Sequence, residues 1–248
     1  LRGAWLYDVA EDGVHIENIR WEDDGQGPVK VYKKPVPGRP YVIGADTAGD
    51  GSDWFVGQVL DNVSGEQVAV LRHQYDEDTF SRQMYCLGKW YNDAMLAPEA
   101  NFSTYPVKLL DLMGYRNLYV REIEDTFDGT IRHAYGFRTD RLTRPVIISE
   151  LIRVMREHLE TVNDEDTLLE MLTFVRDENQ RAAAEPGAHD DCVMALAIAH
   201  YVRPQQTMEV ERTAAAGTAV WTQDMWDDFN RADPQGRELL LRLWGTPM

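Results

Sequence analysis

The chain has 248 residues, of which 44% are hydrophobic, and its formal net charge is -17. A chain of this length can bury one sizeable core, and its acidity disfavours nonspecific attraction to nucleic acid or to anionic membranes, although it leaves room for a local basic face. Only Cys86 and Cys192 are present, no apolar run is long enough to span a membrane, and the first residue is not Met. We therefore expect an intracellular protein that is part of a longer one.

Residues 1–40 are predicted to be an irregular linker or N-terminal extension. The segment is acidic at first and then carries three prolines from Pro35 to Pro40. Proline-rich backbone of this kind favours an extended segment that leads into a domain. The predicted domain begins at Tyr41.

Residues 41–203 are predicted to form an α/β domain. Apolar runs predict strands at residues 41–46, 54–61, 66–75, 95–102 and 117–123. Apolar residues spaced three and four apart predict helices at residues 76–94, 105–114, 149–162 and 189–202. This order predicts a central mixed five-stranded sheet flanked by helices. Residues 204–248 are predicted to form a flexible C-terminal tail.

Acidic residues stand at the ends of three of these predicted elements. Asp46 ends the first strand, Glu99 follows the apolar part of the fourth, and Asp190 with Asp191 opens the last helix. If those two strands lie side by side under the last helix, the carboxylates converge, and such a cluster is costly unless cations lie among them. Oxygen ligands without clustered Cys or His suit Mg²⁺ or Mn²⁺. Two such ions activate water for phosphodiester hydrolysis. Each acid alone is more often a cap or a turn residue, but their combined order favours the metal site.

A calcium loop is the rival interpretation of the acidic turn after the first strand. Asp46, Asp50 and Gly51 match the first, fifth and sixth positions of such a loop. Ala48 stands where a further ligand is required, and Gly57 stands where the closing Glu is required. These two departures disfavour the calcium loop.

Four segments carry a resemblance to a known family, in the order "YVIGADTAGDGSDW", "APEANFSTYPVKLLDLMGYRNLYVRE", "GFRTDRLTRPVIISEL" and "EPGAHDDCVMALAIA". Over residues 29–203 the chain resembles the nuclease domain of the large terminase subunit of tailed bacteriophages, which has a ribonuclease H-like fold. The resemblance implies an endonuclease that cuts double-stranded viral DNA during genome packaging. It also implies partners, namely the terminase ATPase domain, the small terminase subunit and the portal, and a location in the cytoplasm of an infected bacterium. No G-x-x-x-x-G-K-[ST] loop occurs in the sequence, so we expect the nuclease part without its motor.

The resemblance also implies the site residues and two bound ions, Mg²⁺ or Mn²⁺. The "ALAIA" run matches that of similar Holliday junction resolvases, which read D-x-x-D-A-L-A-I-A. This match places Asp191 on the first of their acids and Met194 on the second. Asp190 is then a helix cap or a partner of metal-bound water, and Asp53 is either an aid to the second ion or a turn residue. The implied catalytic residues are Asp46, Glu99 and Asp191, and the implied metal ligands are these three with Asp190 and Asp53.

A basic strip between residues 132 and 156 is the predicted DNA contact, because phosphate neutralisation supplies most nonspecific affinity. The candidate DNA-binding residues are Arg138, Arg141 and Arg144, with Lys33 and Lys34 as a weaker second set. Arg153 and Arg156 lie on a regular predicted helix, and we expect them in solvent or in surface salt bridges. His189 is predicted either to orient a metal-bound water or to hydrogen-bond at the helix start.

Two alternatives to the packaging endonuclease are another nuclease of the same fold, resolvase-like or transposase-like, and a non-catalytic docking module of a packaging motor. The segments "TYPVKLLDLMGYRNLY" and "GFRTDRLTRP" favour the packaging endonuclease over the resolvase. The complete set of acids argues against the docking module.

Overall fold

The structure is a computed structural model that describes residues 1–47, 54–124, 131–176 and 182–215, together with residues 226, 229, 230 and 237. The chain divides into two compact units, Leu1–Arg203 and Pro204–Met248. The first unit contains the sheet and the helices that flank it, and all of the predicted site residues fall within it. None of the described helices is both long and apolar enough to cross a membrane.

A mixed sheet of seven strands organises the first unit, in the order β2-β1-β3-β6-β5-β4-β7. The strands are β1 (Arg2–Val9), β2 (Ile16–Asp23), β3 (Val29–Val31), β4 (Tyr41–Asp46), β5 (Phe55–Asp61), β6 (Gln67–His73) and β7 (Met95–Pro98). β4 and β7 pair in parallel, whereas the other neighbours pair antiparallel. Two further antiparallel pairs lie outside this sheet, formed by β8 (Val120–Glu124) with β9 (Ile131–Tyr135) and by β10 (Phe174–Arg176) with β11 (Ala182–Ala184).

Helices cover both faces of the central sheet. They are α1 (Glu77–Trp90), α2 (Tyr105–Leu112), α3 (Thr143–His158), α4 (Glu165–Leu172) and α5 (Asp191–Ala215), and a short 3₁₀ turn at Leu159–Thr161 follows α3. The alternation of β4 shows the two layers, because Ile43 packs in one core with side chains of α1 and α2 and Val42 packs in a second core with side chains of α3 and α5. Burial on both faces explains why β4 and β5 are largely apolar and do not alternate between apolar and polar residues.

Local sequence signals set several of the helix starts. Asp76 accepts a hydrogen bond from the backbone N–H of Thr79 at 2.7 Å, and Asp164 accepts one from Thr167 at 2.9 Å, so these aspartates cap α1 and α4. α2 carries Pro106 in its first turn, where a missing N–H costs nothing. Gly114, two residues after α2 ends, has a φ of 73° that favours glycine.

Residues 1–40 are predicted to be irregular, but the structure has three strands there. β1 and β2 form a hairpin, and β3 joins that hairpin to β6 in the central sheet. The rings of Trp5, Trp21 and Trp90 lie within 5.2–6.3 Å of one another, which fastens the hairpin to α1. The three prolines that suggested a linker lie between β3 and β4 and therefore interrupt no strand.

The predicted sheet of five strands is corrected to one of seven. The predicted fifth strand is present as β8, which pairs with β9, and the segment just before β8 meets β7 through a bridge between Leu118 and Leu96. The predicted last helix, residues 189–202, runs instead from Asp191 to Ala215 and contains Pro204. The described part of the predicted tail, residues 204–215, is therefore helical.

Candidate active site

Asp46 and Glu99 lie side by side because β4 and β7 are parallel neighbours that end together. Ala45 pairs with Pro98 in the register, and the backbone N–H of Glu99 donates to the carbonyl of Ala45 at 2.9 Å. The residues that follow, Asp46 and Glu99, therefore stand next to each other where β4 and β7 end. The first and fourth predicted strands therefore lie side by side, as predicted.

The start of α5 reaches the same place because α5 packs directly on β4. A Cβ atom added to Gly44 would collide with backbone atoms of Ala195 and Ala199, so only glycine allows this close approach. Asp191, the first residue of α5, lies beside the start of β5, where its Oδ2 is 3.4 Å from the backbone N of Trp54. The last helix therefore brings its acid to the edge where β4 and β7 end.

The surroundings of Asp46 disfavour its charged form. Burial raises the pKa of Asp46 well above its ordinary value, and the nearby charges of Glu99, Asp191 and Asp190 raise it further. A cation among the carboxylates would relieve the same repulsion.

The chemistry of this donor set fits a hard divalent cation, because all of its side-chain donors are carboxyl oxygens. As the side chains stand, no three His, Cys, Asp or Glu residues in the described ranges are grouped so that they could hold a metal ion. Binding of an ion therefore requires the carboxyls to reorient. Asp53, predicted to aid the second ion, lies outside the described residues, as does Asp50.

Asp190 and Asp191 have different neighbours although they are adjacent in sequence. Asp190 accepts a hydrogen bond from the Arg144 guanidinium at 2.7 Å, whereas Asp191 lies 3.5 Å from Nδ1 of His189. Neither contact is a helix cap of the kind predicted for Asp190. The ion pair with Asp190 also engages Arg144, a residue that we predicted to contact DNA.

Asn101 is a residue at this site to which the sequence analysis gave no role. Its side-chain amide donates to Glu99 Oε1 at 3.0 Å and to the carbonyl of Thr139 at 2.6 Å, and its oxygen accepts from the Thr139 N–H at 3.0 Å. Asn101 therefore joins Glu99 to the loop that follows β9. The sequence signal that could have indicated this role is the position of Asn101 two residues after Glu99, in "EAN".

The remaining predicted DNA-binding residues differ in whether an acidic side chain already pairs with them. Arg138 and Arg141 are exposed and lie on either side of Thr139, close in sequence to the loop that Asn101 holds. Lys33 is paired with Glu66 at 2.6 Å, and Lys34 is exposed. Arg153, which we expected in a surface salt bridge, pairs with Glu150 at 2.6 Å. The predictions of DNA contact therefore rest most directly on Arg138 and Arg141.

Comparison with solved structures identifies the fold. The chain matches the large terminase nuclease from thermophilic phage G20c at 22% sequence identity and a TM-score of 0.55, over 72% of this chain and 90% of that one. The same nuclease with bound magnesium gives a TM-score of 0.56. The large terminase nuclease domain of Thermus phage P74-26 matches at 25% identity and a TM-score of 0.51, over 71% of this chain and 86% of that one. No known protein-family profile matches the sequence.

The chain has the ribonuclease H-like fold of phage large terminase nuclease domains. The resemblance drawn from the four sequence segments is confirmed at the level of the fold, and the α/β class is confirmed with it. The roles of the individual acids and basic residues stay predictions.

Proposed function

We propose that this chain is the nuclease domain of a phage large terminase, a metal-dependent endonuclease that cuts double-stranded viral DNA during genome packaging. The observation that carries the proposal is the meeting of Asp46, Glu99 and Asp191 at one edge of a terminase-nuclease fold. Like charges brought together around the buried Glu99 raise the free energy of the folded state, and groups of this kind are concentrated at active sites.

Asp46, Glu99 and Asp191 are the proposed ligands of two divalent ions, Mg²⁺ or Mn²⁺, with Asp190 and Asp53 contributing to the second ion. Bound ions would supply an activated water and charge stabilisation at the leaving oxygen. Crystal structures of the G20c nuclease hold magnesium, cobalt or zinc, which supports a divalent cation here. Asn101 orients Glu99, and the ion pair with Arg144 fixes the position of Asp190.

The substrate and partners follow from the same proposal. Exposed Arg138 and Arg141 would contact phosphates of double-stranded DNA next to the acids. The packaging ATPase, the small terminase subunit and the portal are the proposed partners, in the cytoplasm of an infected bacterium. A net charge of -17 makes the isolated chain a weak DNA binder, so the motor would supply the local concentration of DNA.

Cleavage of supercoiled plasmid tests the proposal. In Mn²⁺ the wild-type chain should nick and linearise the plasmid, and Asp46→Ala and Glu99→Ala should abolish cleavage. Asp111→Ala is the matched control, because Asp111 is an exposed acid on α2. Equal cleavage by wild type and both variants would show that the acids are not the active site. A strong preference for a four-way junction over a duplex of the same sequence would favour the resolvase instead.

A non-catalytic docking module is the second candidate, and one observation favours it. Within the described ranges, no three acids, histidines or cysteines stand ready to hold an ion. A wild-type chain that neither cleaves plasmid nor responds to Mn²⁺, yet binds a terminase ATPase domain, would establish this second candidate over the first.

A further inference from the structure

We infer that Glu170 on α4 is a positioning residue for Asp191, acting with Arg72 on β6 as a fixed frame for the first turn of α5. This inference rests on the proposed function, since it assigns Glu170 and Arg72 a part in holding a proposed metal ligand. Neither residue was singled out by the sequence.

Glu170 caps α5 from another helix. Its Oε2 accepts a hydrogen bond from the backbone N–H of Cys192 at 2.7 Å, and it lies 3.4 Å from the backbone N of Val193. These two residues directly follow Asp191. The first amides of a helix have no partner within that helix, so a buried carboxylate that accepts from two of them fixes the direction in which the helix begins.

The capping role falls to Glu170 because the acids at the start of α5 have other partners. Asp190, at the position where a capping side chain normally stands, pairs with Arg144. Asp191 lies near Trp54 and His189. Glu170 itself is only 8% exposed, and so its carboxylate contacts protein groups rather than solvent. Because the cap comes from outside α5, neither Asp190 nor Asp191 has to cap the helix.

Arg72 connects Glu170 to Trp54, which lies beside Asp191. Its Nη2 lies 3.5 Å from Glu170 Oε1, and its guanidinium stacks on the Trp54 ring at 4.2 Å from the ring centroid. The backbone N of Trp54 in turn faces Asp191 Oδ2. Asp191 is thus held between two segments that Arg72 joins, one through Glu170 and one through Trp54.

A buried polar network fixes the position of α4, on which Glu170 lies. The α4 cap, Asp164, is fully buried and accepts hydrogen bonds from Lys30 at 2.9 Å and from the Tyr32 hydroxyl at 2.7 Å. The Thr167 hydroxyl accepts from the Gln58 amide at 2.9 Å, and the same amide lies 3.2 Å from the carbonyl of Cys192. Buried networks whose hydrogen bonds are all made are rigid, and this one therefore fixes the position of Glu170 relative to the first turn of α5.

The test measures Mn²⁺ binding without substrate, from the loss of the free-ion EPR signal. The variants are Glu170→Ala and the near-isosteric Glu170→Gln, with Glu165→Gln as the matched control because Glu165 is exposed on the same helix. Loss of an outer-shell partner typically weakens metal binding about 10- to 100-fold. We expect Glu170→Ala to raise the dissociation constant by about tenfold or more, Glu170→Gln to fall between it and wild type, and Glu165→Gln to match wild type. Arg72→Met should weaken binding in the same direction.

The outcomes separate the inference from the proposed function. If Glu170→Gln and Glu170→Ala lose thermal stability but bind Mn²⁺ like wild type, Glu170 is only structural and the inference is overturned while the proposed function stands. If Glu170→Ala does not fold, Glu170→Gln decides on the same criterion. If wild type itself binds no Mn²⁺, the proposed function fails and the inference fails with it.

Discussion

Arg144 donates a hydrogen bond to Asp190 at 2.7 Å, so one of the two neighbouring aspartates at the start of α5 is paired with a guanidinium. Asp191, one residue later, lies 3.5 Å from Nδ1 of His189, and its charge raises the pKa of Asp46. A carboxylate that is already paired with a guanidinium is a poorer ligand for a cation than one surrounded by other acids. The two neighbours therefore have different expected roles.

The first prediction ranks these neighbours. Asp191→Asn should abolish plasmid cleavage in Mn²⁺, whereas Asp190→Asn should retain a measurable fraction of it. The reason is that Asp191 lies among the acids of the site, while Asp190 serves the ion pair with Arg144. Initial cleavage rates of both variants against wild type check this ranking. The reverse order would mean that Asp190 is the ligand.

The second prediction concerns the side chain that holds Glu99. Asn101→Ala should lower the cleavage rate by about 10-fold or more, because Glu99 loses the amide that orients it. Asn117→Ala is the matched control, since Asn117 makes a comparable bond to the carbonyl of Asp93 at the opposite end of β7. An equal loss of rate in both variants would point to general destabilisation instead of positioning.

The third prediction concerns DNA binding by the exposed arginines. Duplex binding should be weak and should fall steeply with salt. Reversing Arg138 and Arg141 to Glu should weaken it and reduce the slope of log affinity against log salt by about two, which is close to one per lost phosphate contact. Reversing Arg153 and Arg156, which lie farther along α3, should have little effect. Titrations of a labelled duplex at several salt concentrations measure the slopes. A larger effect from the α3 pair would place the DNA path elsewhere.

The fourth prediction concerns acid stability and His200. Burial, with the nearby positive charges of Arg203 and Arg153, lowers the pKa of His200 from 6.5 to about 3, while Glu150 opposes the shift. The unfolded chain therefore binds a proton that the folded chain rejects, so stability is full above pH 6.5 and falls as the pH drops from there toward 3. The loss is at most about 1.4 kcal/mol per pH unit.

His200→Leu should reduce the loss of stability that occurs as the pH falls below 6.5. Neither ring nitrogen of His200 has a hydrogen-bond partner among the described residues, so an apolar replacement of similar size removes the titration without breaking such a bond. Urea unfolding at pH 7 and pH 5 gives the stability difference for each protein. We expect a smaller loss in His200→Leu than in wild type or in the exposed control His158→Gln. Equal losses in all three would show that His200 does not titrate on unfolding.

Much of the sheet was predictable because burial leaves a strong signal in sequence. The predicted strand at 41–46 is β4 to the residue, since its apolar run is buried on both faces and ends in Asp46. The N-terminal hairpin was missed because β2 is an exposed edge strand with polar side chains, so no apolar run marks it. α4 was missed because it has only two turns, and its buried Thr167 and Glu170 are polar.

The acids could be placed together from sequence, but the groups that hold them could not. Element order alone brings Asp46, Glu99 and Asp191 to one edge of the sheet. The contacts of Arg144 and Glu170 depend on how α3 and α4 lie against α5, and no local pattern encodes that packing. The ion pair of Arg144 with Asp190 could not be predicted, because an arginine in a sequence gives no sign of its partner.

The most direct test of the account is thermal unfolding of wild type and Asp46→Asn, with and without Mn²⁺. Without the ion, the variant should be at least as stable as wild type, because the substitution removes a carboxyl whose pKa is raised by burial and by Glu99. With millimolar Mn²⁺, the wild-type melting temperature should rise and that of the variant should not, since an ion that binds only the folded acids stabilises them by mass action. An equal rise in both proteins, or no rise in wild type, would contradict a cation site built on Asp46.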